Sequence, residues 1–162
     1  MGYCSEEATV LGILKTAEMI AVHDPDAYVV IQGILPVSRH DGRLESNPSR
    51  WSHTKKAHSV YQAEQRYLFW PSIEAINKEL EEFCENHSQI IYFDASDLFI
   101  GSSGNKYYKG QHKQIISDLM PDYYHPSYRG YQVLLSAIHR ELFRLILDED
   151  QENDIEVKSD DP

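Results

Sequence analysis

The sequence predicts an α/β fold in which helices cover a parallel sheet, present here as part of a larger three-layer domain. Three observations predict it. Helix-period and strand-like segments alternate along the chain, as in α/β units. The strand-like runs are short, β-branched and nearly continuous in apolar residues, the pattern of parallel strands covered on both faces. The inventory is also unbalanced, with two such strands against three long helices, so at least one strand edge and a sizeable apolar face are expected to lie open.

Ser5 followed by Glu6 and Glu7 marks a helix start, the acids favoured there by the helix dipole. Val10, Leu11, Leu14, Ala17 and Ile20 or Ala21 recur at helical spacing and predict an amphipathic helix over about 6–22. His23-Asp24-Pro25-Asp26 ends it, because the residue before a proline is pushed out of the α region. The run from Tyr28 to Leu35 reads as the first strand. Pro71 opens a second helix over about 71–86, with Ile73, Ile76, Leu80 and Phe83 on one face. Residues 89–94, Gln89 to Asp94, read as the second strand. A final helix is expected over about 127–147, burying Tyr131, Leu134, Leu135, Ile138, Leu142, Leu145 and Ile146.

Between the first strand and the second helix lies a long polar loop, about 37–70, which ends in the aromatics Tyr61, Tyr67, Phe69 and Trp70. A loop of that length is usually functional or mobile. Within it, Lys55 to Gln65 has the composition for a short helix. The 162 residues, 41% hydrophobic and 25% charged, fit one globular domain. The formal net charge is −11. Residues 148–162 carry eight carboxylates and one lysine, which leaves −4 on residues 1–147. The division expected is therefore a partial domain over 1–147 and an acidic, disordered tail over 148–162.

With no basic stripe, nucleic acid is not an expected partner. The chain holds no apolar run of about 18 residues, so no helical membrane span is expected. Cys4 and Cys84 do not make a disulfide framework or a zinc spacing, and read as free thiols of a reducing compartment. The N-terminus shows no signal pattern, which favours the cytoplasm for this stretch of chain and leaves localisation otherwise open. No pattern implies a cofactor.

The chemically suggestive stretch runs from Asp118 to Tyr131. Asp122 and His125 stand three apart in a proline-flanked loop just before the last helix. A turn brings such residues within about 7 Å between α-carbons, so the carboxylate can accept from the imidazole Nδ1–H. That contact fixes the tautomer, frees Nε2 to take a proton and stabilises the imidazolium that forms. Pro126 keeps His125 extended, and Ser127 is placed to cap the helix. The spacing alone, short and common as it is, more readily fits a surface turn whose aspartate caps something and whose histidine is solvated. Its place after the last strand, within a His-Pro-Ser-x-x-Gly-Tyr block, favours chemistry.

Asp122-Tyr123-Tyr124-His125-Pro126-Ser127 with Gly130-Tyr131 resembles the final block of the SGNH (GDSL-type) hydrolases. Val29 to Pro36 is similar to that family's strand ending in Leu-Pro. Ile73-x-x-Ile76-Asn77-x-x-Leu80 and Ile91-Tyr92-Phe93-Asp94 are similar to the helix and strand that follow. The order resembles intracellular platelet-activating-factor acetylhydrolase catalytic subunits over roughly residues 6–147, with a longer 37–70 segment. The resemblance implies a flavodoxin-like three-layer fold, of which this is the C-terminal half. It also implies hydrolysis of a small carboxylic ester by a Ser-His-Asp triad, with Asp122 and His125 as its catalytic Asp and His.

The family's Gly-Asp-Ser nucleophile block and its Gly-x-Asn-Asp block are both absent from this sequence. Met1 falls just after the place where the second would end. The chain alone is therefore expected to be inactive, and an ester substrate is expected only if an N-terminal part is present. The alternative is a non-catalytic SGNH-like binding module. Ser102-Ser103, between Gly101 and Gly104, lacks the strand-to-helix nucleophile elbow and reads as a flexible turn. Cys4 sits at a chain terminus with nothing to lower its pKa. His40, His53, His58 and His112 lack metal-ligand spacing and read as solvated. Tyr107-Tyr108-Lys109, with nearby Tyr123 and Tyr124, fits either a substrate mouth or packing around the last loop.

Overall fold

A computed structural model describes residues 5–38, 42–44, 69–103 and 112–159, with backbone alone for 102–103, 112 and 146–159. The Lys55–Gln65 helix, the Tyr107-Tyr108-Lys109 cluster, Cys4, His40, His53 and His58 lie outside the described residues. What is described is a mixed α/β arrangement with one parallel and one antiparallel sheet.

Helix α1 spans Glu6–His23, and the Ser5 hydroxyl accepts from the Ala8 N–H at 3.1 Å as its N-cap. It stops at Asp24, whose N–H still reaches the Ile20 carbonyl at 3.0 Å before Pro25 turns the chain. Strand β1 (Val29–Gln32) pairs in parallel with β2 (Ile90–Phe93), from Val29 opposite Ile90 to Gln32 opposite Phe93. Both strands are shorter than their apolar runs. The bonds Val29 N–H to Gln89 O and Gly33 N–H to Phe93 O, each 2.9 Å, close the ladder. In a parallel ladder this register turns the backbone groups of Val30 and Gln32 away from β2. Among the described residues no further strand pairs with either edge.

Helix α2 (Trp70–Cys84) starts with Pro71 in its first turn and crosses from one core to the other. Trp70 and Ile73 pack with Leu44, Phe99, Ile115, Met120 and Leu134. Ile76, Leu80 and Cys84 pack with Val10, Ala17, Ile31 and Ile90 beneath α1 and the parallel sheet. Asn77 is a polar residue buried between these groups. Its Oδ1 accepts from the Ile34 N–H at 2.8 Å and its Nδ2 donates to the Ile34 carbonyl at 2.9 Å. One side chain thereby supplies both partners of a backbone unit that has left the sheet.

After β2, a single turn of helix, α3 (Ser96–Phe99), buries Phe99 and leads into a second sheet. Strands β3 (Ile100–Ser103) and β4 (His112–Ile115) pair antiparallel, Ile100 opposite Ile115 and Ser103 opposite His112. This corrects the reading of Gly101-Ser102-Ser103 as part of a flexible turn. Buried Phe99 and Ile115 anchor the start of the pairing, and the ladder carries the small residues along. On the other side of β4, Arg43 bridges Gln114, and the Ile115 N–H donates to the Gly42 carbonyl at 2.7 Å.

Helix α4 runs Tyr128–Ser159, so regular backbone continues past Leu147 into the acidic stretch expected to be a tail. Extension of a formed helix adds one hydrogen bond per residue ordered, and Glu and Gln are good helix formers. Its buried face is narrower than its periodicity predicts. Leu134 is buried, and Val133 and Ile138 pack against the same core, whereas Tyr131, Leu135 and Leu142 are exposed. On α1, Val10 and Ala17 are buried but Leu11 and Ile20 are exposed. On both helices, among the side chains described, some apolar residues pack against the core while others stay exposed.

Candidate active site

The loop between β4 and α4 is held at both ends. Its first half is a turn, with the Leu119 and Met120 N–H groups donating to the Ile116 carbonyl, each at 3.0 Å. Leu119 and Met120 are buried in the core. At its far end the Ser127 N–H donates to the Leu119 carbonyl at 2.7 Å. The Ser127 hydroxyl donates to the Asp118 carbonyl at 2.9 Å and accepts from the Gly130 N–H at 3.0 Å, the helix cap expected of it. A Cβ on Gly130 would lie 2.3 Å from the Leu119 carbonyl oxygen, so only glycine lets α4 start this close to the loop.

Between these anchors the structure brings Asp122 and His125 together. The His125 Nδ1 lies 2.8 Å from Asp122 Oδ2. The other carboxylate oxygen accepts from the backbone N–H of His125 at 2.7 Å and of Tyr124 at 2.9 Å. Two successive N–H groups converging on one oxygen form a small anion-binding concavity. The His125 N–H, the imidazole and the Tyr124 N–H, in that order of effect, hold the Asp122 carboxyl well below the usual carboxylate range. Asp122 is therefore ionised at neutral pH and acts only as an acceptor, which places a proton on Nδ1; in the neutral ring the lone pair is then on Nε2.

The Tyr124 ring leans on the imidazole, centroids 4.7 Å apart at 54°. The side chains are open to solvent, 71% exposed for His125 and 56% for Asp122. In that setting the ion pair contributes orientation rather than much binding energy. Among the described residues, no hydroxyl or thiol bonds Nε2. The Ser127 hydroxyl is engaged elsewhere, and Cys84 is a buried core thiol whose pKa burial pushes up. No group of His, Cys, Asp and Glu among the described residues is arranged to hold a metal. No helix among them is long and apolar enough to cross a membrane.

Of the two residues between the dyad members, Tyr123 has a backbone conformation that the sequence did not disclose. Tyr123 has φ 58°, the one positive value at a non-glycine position among the described residues. The left-handed region costs such a side chain about 1–2 kcal/mol. Its surroundings hold it there: its N–H donates to the Met120 carbonyl at 3.0 Å and its carbonyl accepts from the Ser38 N–H at 2.9 Å. Strain of this kind collects at functional sites.

The depressed pKa gives a signed prediction. A carboxylate lowered in the folded state contributes stability above its unfolded value of about 3.9, and loses it as pH falls below that value. Asp122→Ala is expected to unfold in acid with a shallower pH dependence below about pH 4 than the parent. Circular dichroism of the two chains checks this, and superimposable acid limbs would contradict it.

No protein-family model matches the chain, and no curated protein matches it.

Proposed function

We propose that the chain carries the acid–base part of an SGNH-type carboxylic ester hydrolase. The 2.8 Å contact between Asp122 and the Nδ1 of His125 supports this reading. Asp122 orients the ring, and His125 Nε2 takes the proton of a serine hydroxyl as that oxygen attacks an ester carbonyl. The imidazolium returns the proton to the departing alkoxide, leaving an acyl-serine. The same Nε2 then deprotonates the water that attacks the acyl carbonyl, and returns that proton to the serine. The chain contains no Gly-Asp-Ser block, so the hydroxyl and its oxyanion donors come from outside residues 1–162. Covering the exposed dyad with that part also excludes water, which strengthens each electrostatic contact within it.

The test starts from the coding sequence in frame ahead of Met1. The expected result is a Gly-Asp-Ser block there and hydrolysis of p-nitrophenyl acetate by the longer polypeptide. Residues 1–162 alone are expected to be inert, because a base without a nucleophile has no acyl-enzyme route. Turnover by residues 1–162 that disappears in His125→Ala would place the nucleophile within them and overturn this division of labour. An untranslated region ahead of Met1, with an inert chain, would leave the non-catalytic binding module.

A further inference from the structure

A second segment, at Gly42, faces the one that carries the dyad. Gly42 is buried and has φ +75°, and its carbonyl accepts from the Ile115 N–H. A Cβ built on Gly42 would lie 2.8 Å from both Cδ1 and Cε1 of Tyr123. It would also lie 3.3 Å from Cγ of Gln114, so the site of that Cβ is occupied from two sides. The edge of the Tyr123 ring therefore rests against the α-carbon of Gly42, at the one described non-glycine residue with a left-handed backbone.

We propose that Tyr123 is a positioning residue for the dyad, clamped by the bare α-carbon of Gly42, and that this clamp sets the Asp122–His125 geometry. The reasoning is geometric. Tyr123 stands between the carboxylate and the two N–H groups that bind it, those of Tyr124 and His125. Its φ decides whether those N–H groups turn back onto Asp122. Returned to the β or right-handed region, the chain after Tyr123 takes a different direction, and the contact at Nδ1 goes with it. Ser38 and Met120 hold the Tyr123 peptide groups, and Gly42 holds the ring. The inference rests on the proposed hydrolase reading only for its purpose; the clamp itself is tested without turnover.

The experiment is NMR of the 162-residue chain with 15N-labelled histidine, reading the neutral ring of His125 and exchange of its backbone amide. Gly42→Ala is expected to remove the preference for the Nδ1–H tautomer and to speed His125 amide exchange about tenfold, as expected for losing a left-handed conformer. In the Tyr123→Gly background the same Gly42→Ala change is expected to do little to the ring, since no aromatic edge remains to displace. Tyr123→Phe is expected to keep the parent tautomer, and Tyr123→Val, β-branched and without a ring, to lose it. A folded Gly42→Ala chain with the parent tautomer and exchange would overturn the clamp. If Gly42→Ala does not fold, equal tautomers in the Phe and Val variants would overturn it instead. Asp122→Asn runs alongside: a change there with none in Gly42→Ala sinks the clamp alone, while no change in Asp122→Asn sinks the dyad.

Discussion

Asp122→Asn is expected, on the proposed hydrolase reading, to lower ester turnover about 10⁴-fold at neutral pH in a polypeptide that also carries a serine nucleophile. The asparagine is nearly isosteric, and its Oδ1 can still accept from the N–H groups of Tyr124 and His125. The difference lies at the other atom, now an NH₂ donor facing Nδ1 at the position where a carboxylate oxygen sat 2.8 Å away. Nδ1 must then present its lone pair, the proton moves to Nε2, and the base has nothing with which to take a proton from a hydroxyl. The effect belongs to kcat, because the substrate still binds. A loss below tenfold would show that the carboxylate does not set the state of the imidazole.

Asn77→Ala is expected to lower folding stability by about 2–4 kcal/mol, read as a lower urea midpoint with an unchanged slope. Two backbone groups of Ile34 lose their partner at once, in a place too buried for water to replace it freely. Asn77→Asp should not rescue, since a carboxylate has no hydrogen to give the Ile34 carbonyl. The consequence reaches the site. Ile34 leads through Pro36 to Ser38, whose N–H holds the Tyr123 carbonyl at 2.9 Å. Loss of Asn77 is thus expected to loosen the dyad loop as well as the fold, and a folding stability within about 0.5 kcal/mol of the parent, the usual range for surface substitutions, would contradict it.

The elements that could be read from the chain are those whose signals are local. Ser5 caps α1 and Asp24-Pro25 stops it by short-range chemistry, and the apolar runs around Val30 and Ile91 pair in parallel as expected of covered strands. Asp122 and His125 also lie within one turn, so their contact was within reach of a local reading once the His-Pro-Ser-x-x-Gly-Tyr block was added to the spacing. Misreadings arose where a distant partner decides. Gly101-Ser102-Ser103 has turn composition, yet becomes a strand because β4 lies beside it and Phe99 is anchored in the core. Leu135 and Leu142 have the periodicity of a core face but stay exposed, since periodicity reports apolar surface and not what covers it.

The same distinction explains what went unread at the site. Asn77 carried a usable signal, a polar residue set within the apolar positions Ile73, Ile76 and Leu80 of α2, but nothing local says that Ile34 lies opposite. Gly42 is one of eight glycines, and only the fold places Tyr123 against it. The left-handed Tyr123 has no sequence signature at all, because an aromatic residue is disfavoured there and the bonds from Ser38 and to Met120 come from distant or turn-forming partners.

The hydrogen on His125 is the most direct thing to measure. In 15N NMR of residues 1–162 with a neutral imidazole, the ring is expected to show a protonated Nδ1 and an unprotonated Nε2, and Asp122→Asn to reverse them. An exposed ring that favours Nε2–H, or one indifferent to Asp122→Asn, would contradict a carboxylate that prepares His125 to accept a proton.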